Sequence, residues 1–281
     1  MTTIDVLDPR AAGARRFVGK IAIVAGSGQG IGRAAARRLA QEGATVVAAD
    51  IVESTANRVA KELQDFGGAA MPYVGDLSQW EHCAALMART QEAYGRIDVL
   101  VNIVGGNIWW RLFENYDPEQ IVLEVNKNFW PTMWLCRAVL PYMIEQRSGA
   151  IVNIGTHAVV SQYRLPYAAS KAGIMGLTTS LSKEIARYGI RVNCVVPHGT
   201  EADDRVVPGN YGVDIEHTPI TPEEDAARQQ FQREIPDREI PMGRRARAEE
   251  QASAIAFLAS EDASYITGQV LPVGGGATFP F

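Results

Sequence analysis

Lys20-Ile21-Ala22-Ile23-Val24-Ala25-Gly26-Ser27-Gly28-Gln29-Gly30-Ile31-Gly32-Arg33-Ala34-Ala35-Ala36-Arg37-Arg38-Leu39-Ala40 is the stretch that decides the fold. Residues 20–25 are mostly apolar and rich in β-branched side chains, which predicts a short buried strand. A glycine run with the spacing G-x-x-x-G-x-G follows, and then a segment of strong helix formers. Strand, glycine turn and helix in that order give a dinucleotide fingerprint physical meaning. The glycines let the backbone approach a pyrophosphate, and the helix N-terminus turns free N–H groups toward its charge. The alternative is a glycine-rich turn with no ligand. On the first reading Gly26, Ser27, Gln29, Gly30, Ile31 and Gly32 are candidate cofactor contacts.

The same pattern extends in both directions. Thr45–Ala49 reads as a second buried strand and ends on Asp50. A carboxylate at that tip suits ribose hydroxyls and repels a 2′-phosphate. No lysine or arginine lies between Gly26 and Gly32 to reverse the preference, so NAD is expected rather than NADP. Further strands are predicted to end at Val74-Gly75, at Val101, at Ile154 and at Val196, with a last one over 269–273. Helices are predicted near 53–66, 79–94, 130–147, 167–188 and 248–260. Repeated β-α units of this size predict an α/β fold: a single-domain, Rossmann-type, doubly wound parallel sheet with helices on both faces. That domain is expected to span 18–281, with 1–17 as an extension. Residues 201–246 break the pattern, being polar and punctuated by prolines, with one short helix near 222–234. Following a strand at the carboxyl edge of the sheet, they are expected to form a substrate lid.

Composition narrows the functional classes. The net charge of −5 comes with no basic block, which argues against a nucleic-acid partner. Three scattered cysteines and four scattered histidines show neither disulfide nor metal-ligand spacing, so a reducing cytoplasm and no metal are expected. The first 16 residues lack an apolar core and do not read as a signal peptide, and no apolar run is long enough to predict a membrane span.

Arg164-Leu165-Pro166-Tyr167-Ala168-Ala169-Ser170-Lys171 carries the candidate chemistry. Tyr167 and Lys171, four apart on a helix, share one face. A phenol titrates near ~10 when unperturbed, and an ammonium held beside it favours the phenolate. The pair is thus a device for making a base from tyrosine, though a surface helix can contain one by chance.

Taken together, Gly26-x-x-x-Gly30-x-Gly32, Asp76-Leu77, Asn102-x-x-Gly105, Tyr167-x-x-x-Lys171 and Tyr265-Ile266-Thr267-Gly268 resemble the short-chain dehydrogenase/reductase family over about 18–277. The resemblance implies an NAD-dependent oxidoreductase with Tyr167 as acid/base and Lys171 on the nicotinamide ribose. It also implies Asn128 in a proton relay, and Asp76, Leu77, Asn102 and Gly105 around the cofactor. Thr156, in Ile154-Gly155-Thr156, stands where the family usually has serine and supplies the same hydroxyl. Pro197, Gly199 and Thr200 correspond to the segment at the nicotinamide carboxamide. Between them, His198 is either a substrate contact or a solvent-facing loop residue. Related proteins pair the helices around 130–147 and 167–188, which implies a homodimer or homotetramer.

Within the family, the segments around Trp109, Phe129-Trp130-Pro131-Thr132, Arg164, Thr200-Glu201-Ala202 and Gly274-Gly275-Gly276 are similar to dehydrogenases of carboxylated cis-dihydrodiols, such as those of benzoate and p-cumate. This implies a small-molecule diol substrate oxidised to a catechol. Arg164 is then a candidate partner for its carboxylate, with Arg205 as a second, and Trp109 or Trp110 a candidate wall for its ring. Two other functions fit much of the sequence. One is a short-chain dehydrogenase acting on a sugar, sterol or 3-oxoacyl substrate, and the other is a non-catalytic NAD-binding sensor.

Overall fold

The computed structural model describes residues 15–202, 221–226, 229–230, 233 and 239–279. The chain opens with β1 (Ile21–Ala25), α1 (Gly30–Gln41), β2 (Thr45–Asp50), α2 (Glu53–Asp65), β3 (Ala70–Val74), α3 (Trp80–Tyr94) and β4 (Val99–Asn102). It continues with α4 (Pro118–Asn128), α5 (Trp130–Gln146), β5 (Gly149–Ile154), α6 (Leu165–Ile185), β6 (Ile190–Pro197) and β7 (Thr200–Glu201). Further along come β8 (Ala246–Arg247), α7 (Ala248–Ala259) and β9 (Val270–Val273). Seven strands pair in the order β3-β2-β1-β4-β5-β6-β9, every pairing parallel.

Alternation along the strands divides the core into two layers. Ala22, Val24, Val46, Val101 and Val152 face α1, α2 and α7. Ile23, Val47, Leu100, Ile151 and Val192 face α3, α5 and α6. All of these residues are 0–1% exposed, and burying each Val, Leu or Ile side chain among them is worth about 1.5–3 kcal/mol. Gly95, in the left-handed region at φ 72°, ends α3 and donates its N–H to the Gln91 carbonyl.

Two features differ from the sequence expectation. The helix expected near 130–147 is α5, and it is preceded by a helix the sequence reading did not expect, α4, which meets it at Phe129. Asp117-Pro118-Glu119-Gln120 starts α4: proline takes the first helical position, and the Gln120 side chain accepts the Asp117 N–H at 3.2 Å. Asn128 consequently ends α4 rather than lying in the helix before β5. The segment expected to form a lid is also bounded by paired strands, since β7 and β8 join Thr200 to Ala246 and Glu201 to Arg247. Helical residues 222–226 fall inside the short helix expected there. Residues 1–14, most of the expected extension, and Arg205 lie outside the described residues. Among the described residues, no helix is long and apolar enough to cross a membrane.

Candidate active site

The glycine turn, Asp50, the loop after β4, Thr156 and Pro197 all sit at the carboxyl ends of strands, the edge where ligands bind in such sheets. The turn is built for close approach. A Cβ on Gly32 would lie 1.8 Å from the Gly26 carbonyl oxygen, so only glycine fits there. Gln29 precedes α1 in extended conformation and makes no side-chain cap, leaving the first turn to backbone N–H groups. Asp50 Oδ2 accepts the Gly28 N–H at 2.8 Å, and Oδ1 accepts that of Val52 at 3.0 Å. This glycine cradle, with a helix N-terminus behind it and a carboxylate at its adenosine end, fits a dinucleotide. Ala202, just past β7, reaches the turn, 3.4 Å from where a Cβ on Gly30 would be.

Several residues expected around the cofactor use their side chains within the scaffold. Ser27 is fully buried and donates its hydroxyl to the Ala49 carbonyl at 3.2 Å. Ile31 and Leu77 pack into the two core layers. Asn102 ties neighbouring strands together, its Nδ2 donating to Asn153 Oδ1 at 2.8 Å, while Asn153 donates to the Thr178 hydroxyl at 2.9 Å. Asp76 Oδ1 accepts the Ser78 N–H at 3.0 Å and so shapes its own loop.

At the proposed chemical centre, α6 places Lys171 one turn beyond Tyr167. Lys171 is 3% exposed and donates to the carbonyls of Ile154 at 3.2 Å and Val104 at 3.3 Å. Burial pulls its pKa down to about 8, against the opposing influence of the neighbouring Cys194 thiol. Thr156 Oγ1 accepts the Ala158 N–H at 3.1 Å, which leaves its own proton available for donation. Gly105, at φ 135°, brings the backbone against the same centre. A Cβ there would be 2.6 Å from Asn128 Oδ1 and 3.0 Å from Lys171 Nζ. Asn128, with no exposed surface, accepts the Gly106 N–H at 2.8 Å.

Beside this centre lies a cluster that long-range contacts assemble. The Arg111 N–H donates to the Tyr163 carbonyl at 2.7 Å, pinning the loop after β4 to the loop before α6. Trp110 is thereby set under Arg164, whose guanidinium carbon is 4.5 Å from the ring centroid, and Arg164 Nε donates to the Ser161 hydroxyl at 2.7 Å. Burial lowers the Arg164 pKa, and nearby Tyr167 and Glu239 oppose that shift. Trp109, expected to form the ring wall, is instead 1% exposed and packs edge-on against Tyr116 in a cluster with Ile108. It is Trp110 that faces Arg164.

His198 is not solvent-facing. Its side chain is 6% exposed, and its ring centroid lies 4.1 Å from that of His157. Burial first, then His157, Arg164 and Arg245, push its pKa down to about 4. The 3.2 Å contact from its Nε2 to Glu239 is therefore a hydrogen bond from a neutral imidazole at pH 7. His157 in turn contacts the Thr278 carbonyl at 2.6 Å, which brings the C-terminal residues over the site. Sequence reasoning passed over His157 and Ser161. Both lie within the short connection between Thr156 and Tyr167, which was a signal of their proximity to the site.

Comparison with known proteins defines the class. A model of the short chain dehydrogenase family matches residues 20–206, and one described as enoyl-(acyl carrier protein) reductase matches 215–278. The chain belongs to the short-chain dehydrogenase/reductase family and is an oxidoreductase of that class. It is 42% identical, over 93% of its length and 97% of the relative, to 1,6-dihydroxycyclohexa-2,4-diene-1-carboxylate dehydrogenase of Acinetobacter baylyi. A 2,3-dihydroxy-2,3-dihydro-p-cumate dehydrogenase of Pseudomonas putida is 34% identical over 92% of this chain and 95% of its own. The crystal structure of gox2181 superimposes with a TM-score of 0.79 at 32% identity, covering 93% of this chain and 96% of that one.

Proposed function

We propose that the protein oxidises a carboxylated cis-dihydrodiol, of the benzoate or p-cumate type, with NAD in the breakdown of aromatic acids. The observation that carries this reading is Arg164, half-buried against Trp110 in the loop that leads into the Tyr167 helix. A planar guanidinium held by an aromatic face and by Ser161 is preorganised to take a carboxylate with two parallel bonds. The names of the relatives support the same substrate class.

In the proposed reaction, Tyr167 as phenolate removes the proton of the reacting hydroxyl. Thr156 donates to that oxygen and holds it in place, and Lys171 presents its amine one helical turn beyond Tyr167. Asn128 holds the water that passes the proton on from Lys171. When bound, the nicotinamide supplies the acceptor for the carbinol hydride. A ring ketone results and aromatises to a catechol. A 1-carboxylated diol also loses CO₂, as β-keto acids do, whereas a 2,3-diol keeps its carboxylate. The segment 201–246, drawn together by β7 and β8, serves as the substrate lid of a single domain.

Spectrophotometric NADH formation with the benzoate diol, the p-cumate diol and simple alcohols tests the reading directly. Turnover of alcohols with none of either diol would refute the substrate class. Arg164→Ala should lower kcat/KM for carboxylated diols by about tenfold to a hundredfold, the worth of charge-assisted hydrogen bonds of about 1.5–3 kcal/mol. Uncharged diols should be turned over nearly as before, and equal losses on both would make Arg164 purely structural. NAD, rather than NADP, follows from Asp50. Asp50→Ala should raise KM for NAD by about tenfold, from loss of a hydrogen bond of about 1.5 kcal/mol. Equal use of both cofactors by the wild type would contradict that assignment.

A further inference from the structure

Glu124 lies on α4, one turn before Asn128, and has no exposed surface. Its Oε1 accepts the N–H groups of Ile108 at 2.8 Å and Trp109 at 3.1 Å. Its Oε2 accepts Asn128 Nδ2 at 3.0 Å, and the same Nδ2 donates to the Glu124 backbone carbonyl at 2.9 Å. A carboxylate only accepts hydrogen bonds, so the amide must turn its nitrogen toward Glu124. The amide oxygen then faces the other way, onto the Gly106 N–H and into the space that Gly105 leaves beside Lys171.

A buried acid of this kind could simply hold a loop. A glutamine would do that as well, since its carbonyl could accept the Ile108 and Trp109 N–H groups. Its amide nitrogen, however, would face that of Asn128, donor against donor. The position therefore needs an acceptor at both ends, which among side chains of this length only glutamate supplies. The fold keeps it at a cost, because burial pushes the carboxyl pKa up to about 7 despite the donors around it. Lys127 on the same helix and Tyr116 interact electrostatically with this carboxylate, and Arg111 and Glu224 act on Tyr116 in turn.

We propose that Glu124 is a positioning residue: one buried carboxylate fixes the orientation of the Asn128 amide and the course of the 105–110 loop together. The proton path beside Lys171 and the placing of Trp110 under Arg164 are thus set by the same group. The proposal rests on Asn128 belonging to the proton path, as in the function proposed above.

The test is a double-mutant cycle with Glu124→Gln and Asn128→Ala. Glu124→Gln should lower kcat by about tenfold to a hundredfold, the usual cost of a misplaced group near the chemistry, with the NAD dissociation constant unchanged. In the Asn128→Ala background it should cause no further loss of kcat. Unchanged kcat, or losses that multiply, would overturn the proposal. An infrared titration of the carboxyl band decides it independently of substrate and of how well Glu124→Gln folds. Asn128→Ala removes a donor to the carboxylate, so protonated Glu124 should persist to higher pH than in the wild type. An unmoved midpoint would also overturn it. If the wild type turned over no diol, only the substrate reading would fail, and the titration would still test the coupling.

Discussion

Tyr167→Phe is expected to lose at least about a thousandfold in NADH formation while binding the cofactor as tightly as the wild type. The change removes one oxygen and keeps the ring, so packing around this half-buried side chain stays nearly the same. What disappears is the group that takes the hydroxyl proton, and a positioned acid or base contributes about 10²–10⁴ in rate. The upper half of that range applies because nothing adjacent can substitute. Lys171 is held by two carbonyls, and the Thr156 hydroxyl is far too weak a base at neutral pH. Cofactor fluorescence titration beside initial rates separates the two effects. Turnover above about a tenth of the wild-type rate would remove Tyr167 from the chemistry, whatever the substrate.

Among the described glycines, Gly32→Ala should be the most damaging substitution. Alanine favours a helix over glycine by about 1 kcal/mol, so propensity alone predicts a small gain in the first turn of α1. Sterics decide otherwise, since the added Cβ would sit 1.8 Å from the Gly26 carbonyl oxygen, a backbone atom that cannot swing away. Overpacking against backbone costs about 3 kcal/mol or more and outweighs the propensity gain. A melting temperature lower by roughly 5–10 °C is expected. Cofactor binding should fall more steeply still, because the displaced carbonyl belongs to the pyrophosphate turn. A variant with unchanged Tm and unchanged NAD affinity would mean that the turn is not packed as described.

The parallel sheet was legible because its signals are local. Buried strands such as Ile21–Ala25 and Thr45–Asp50 are short β-branched runs, and the helices between them carry their own periodicity. Asp117-Pro118-Glu119-Gln120 was an equally local signal and would have predicted α4. The reading found α5 near 130–147 and left that signal unused. Loop side chains were not legible in the same way. Trp109 and Trp110 are neighbours of one chemical type, and nothing in their immediate sequence says which of them is core.

From the sequence alone came the α/β class, the cofactor turn with Asp50 beside it, and the Tyr167–Lys171 pair on one helical face. Each depends on residues a few positions apart. Only the tertiary structure decided that Asn102 braces two strands, that His198 is a buried neutral imidazole, and that Trp110 rather than Trp109 meets Arg164. It likewise placed Glu124 behind Asn128 with the loop N–H groups on its other oxygen. In irregular segments a side chain's direction is set by hydrogen bonds to distant parts of the chain, such as that from the Arg111 N–H to the Tyr163 carbonyl. Such partners leave no periodic trace in the sequence, so the direction becomes fixed only when the whole sheet has brought them together.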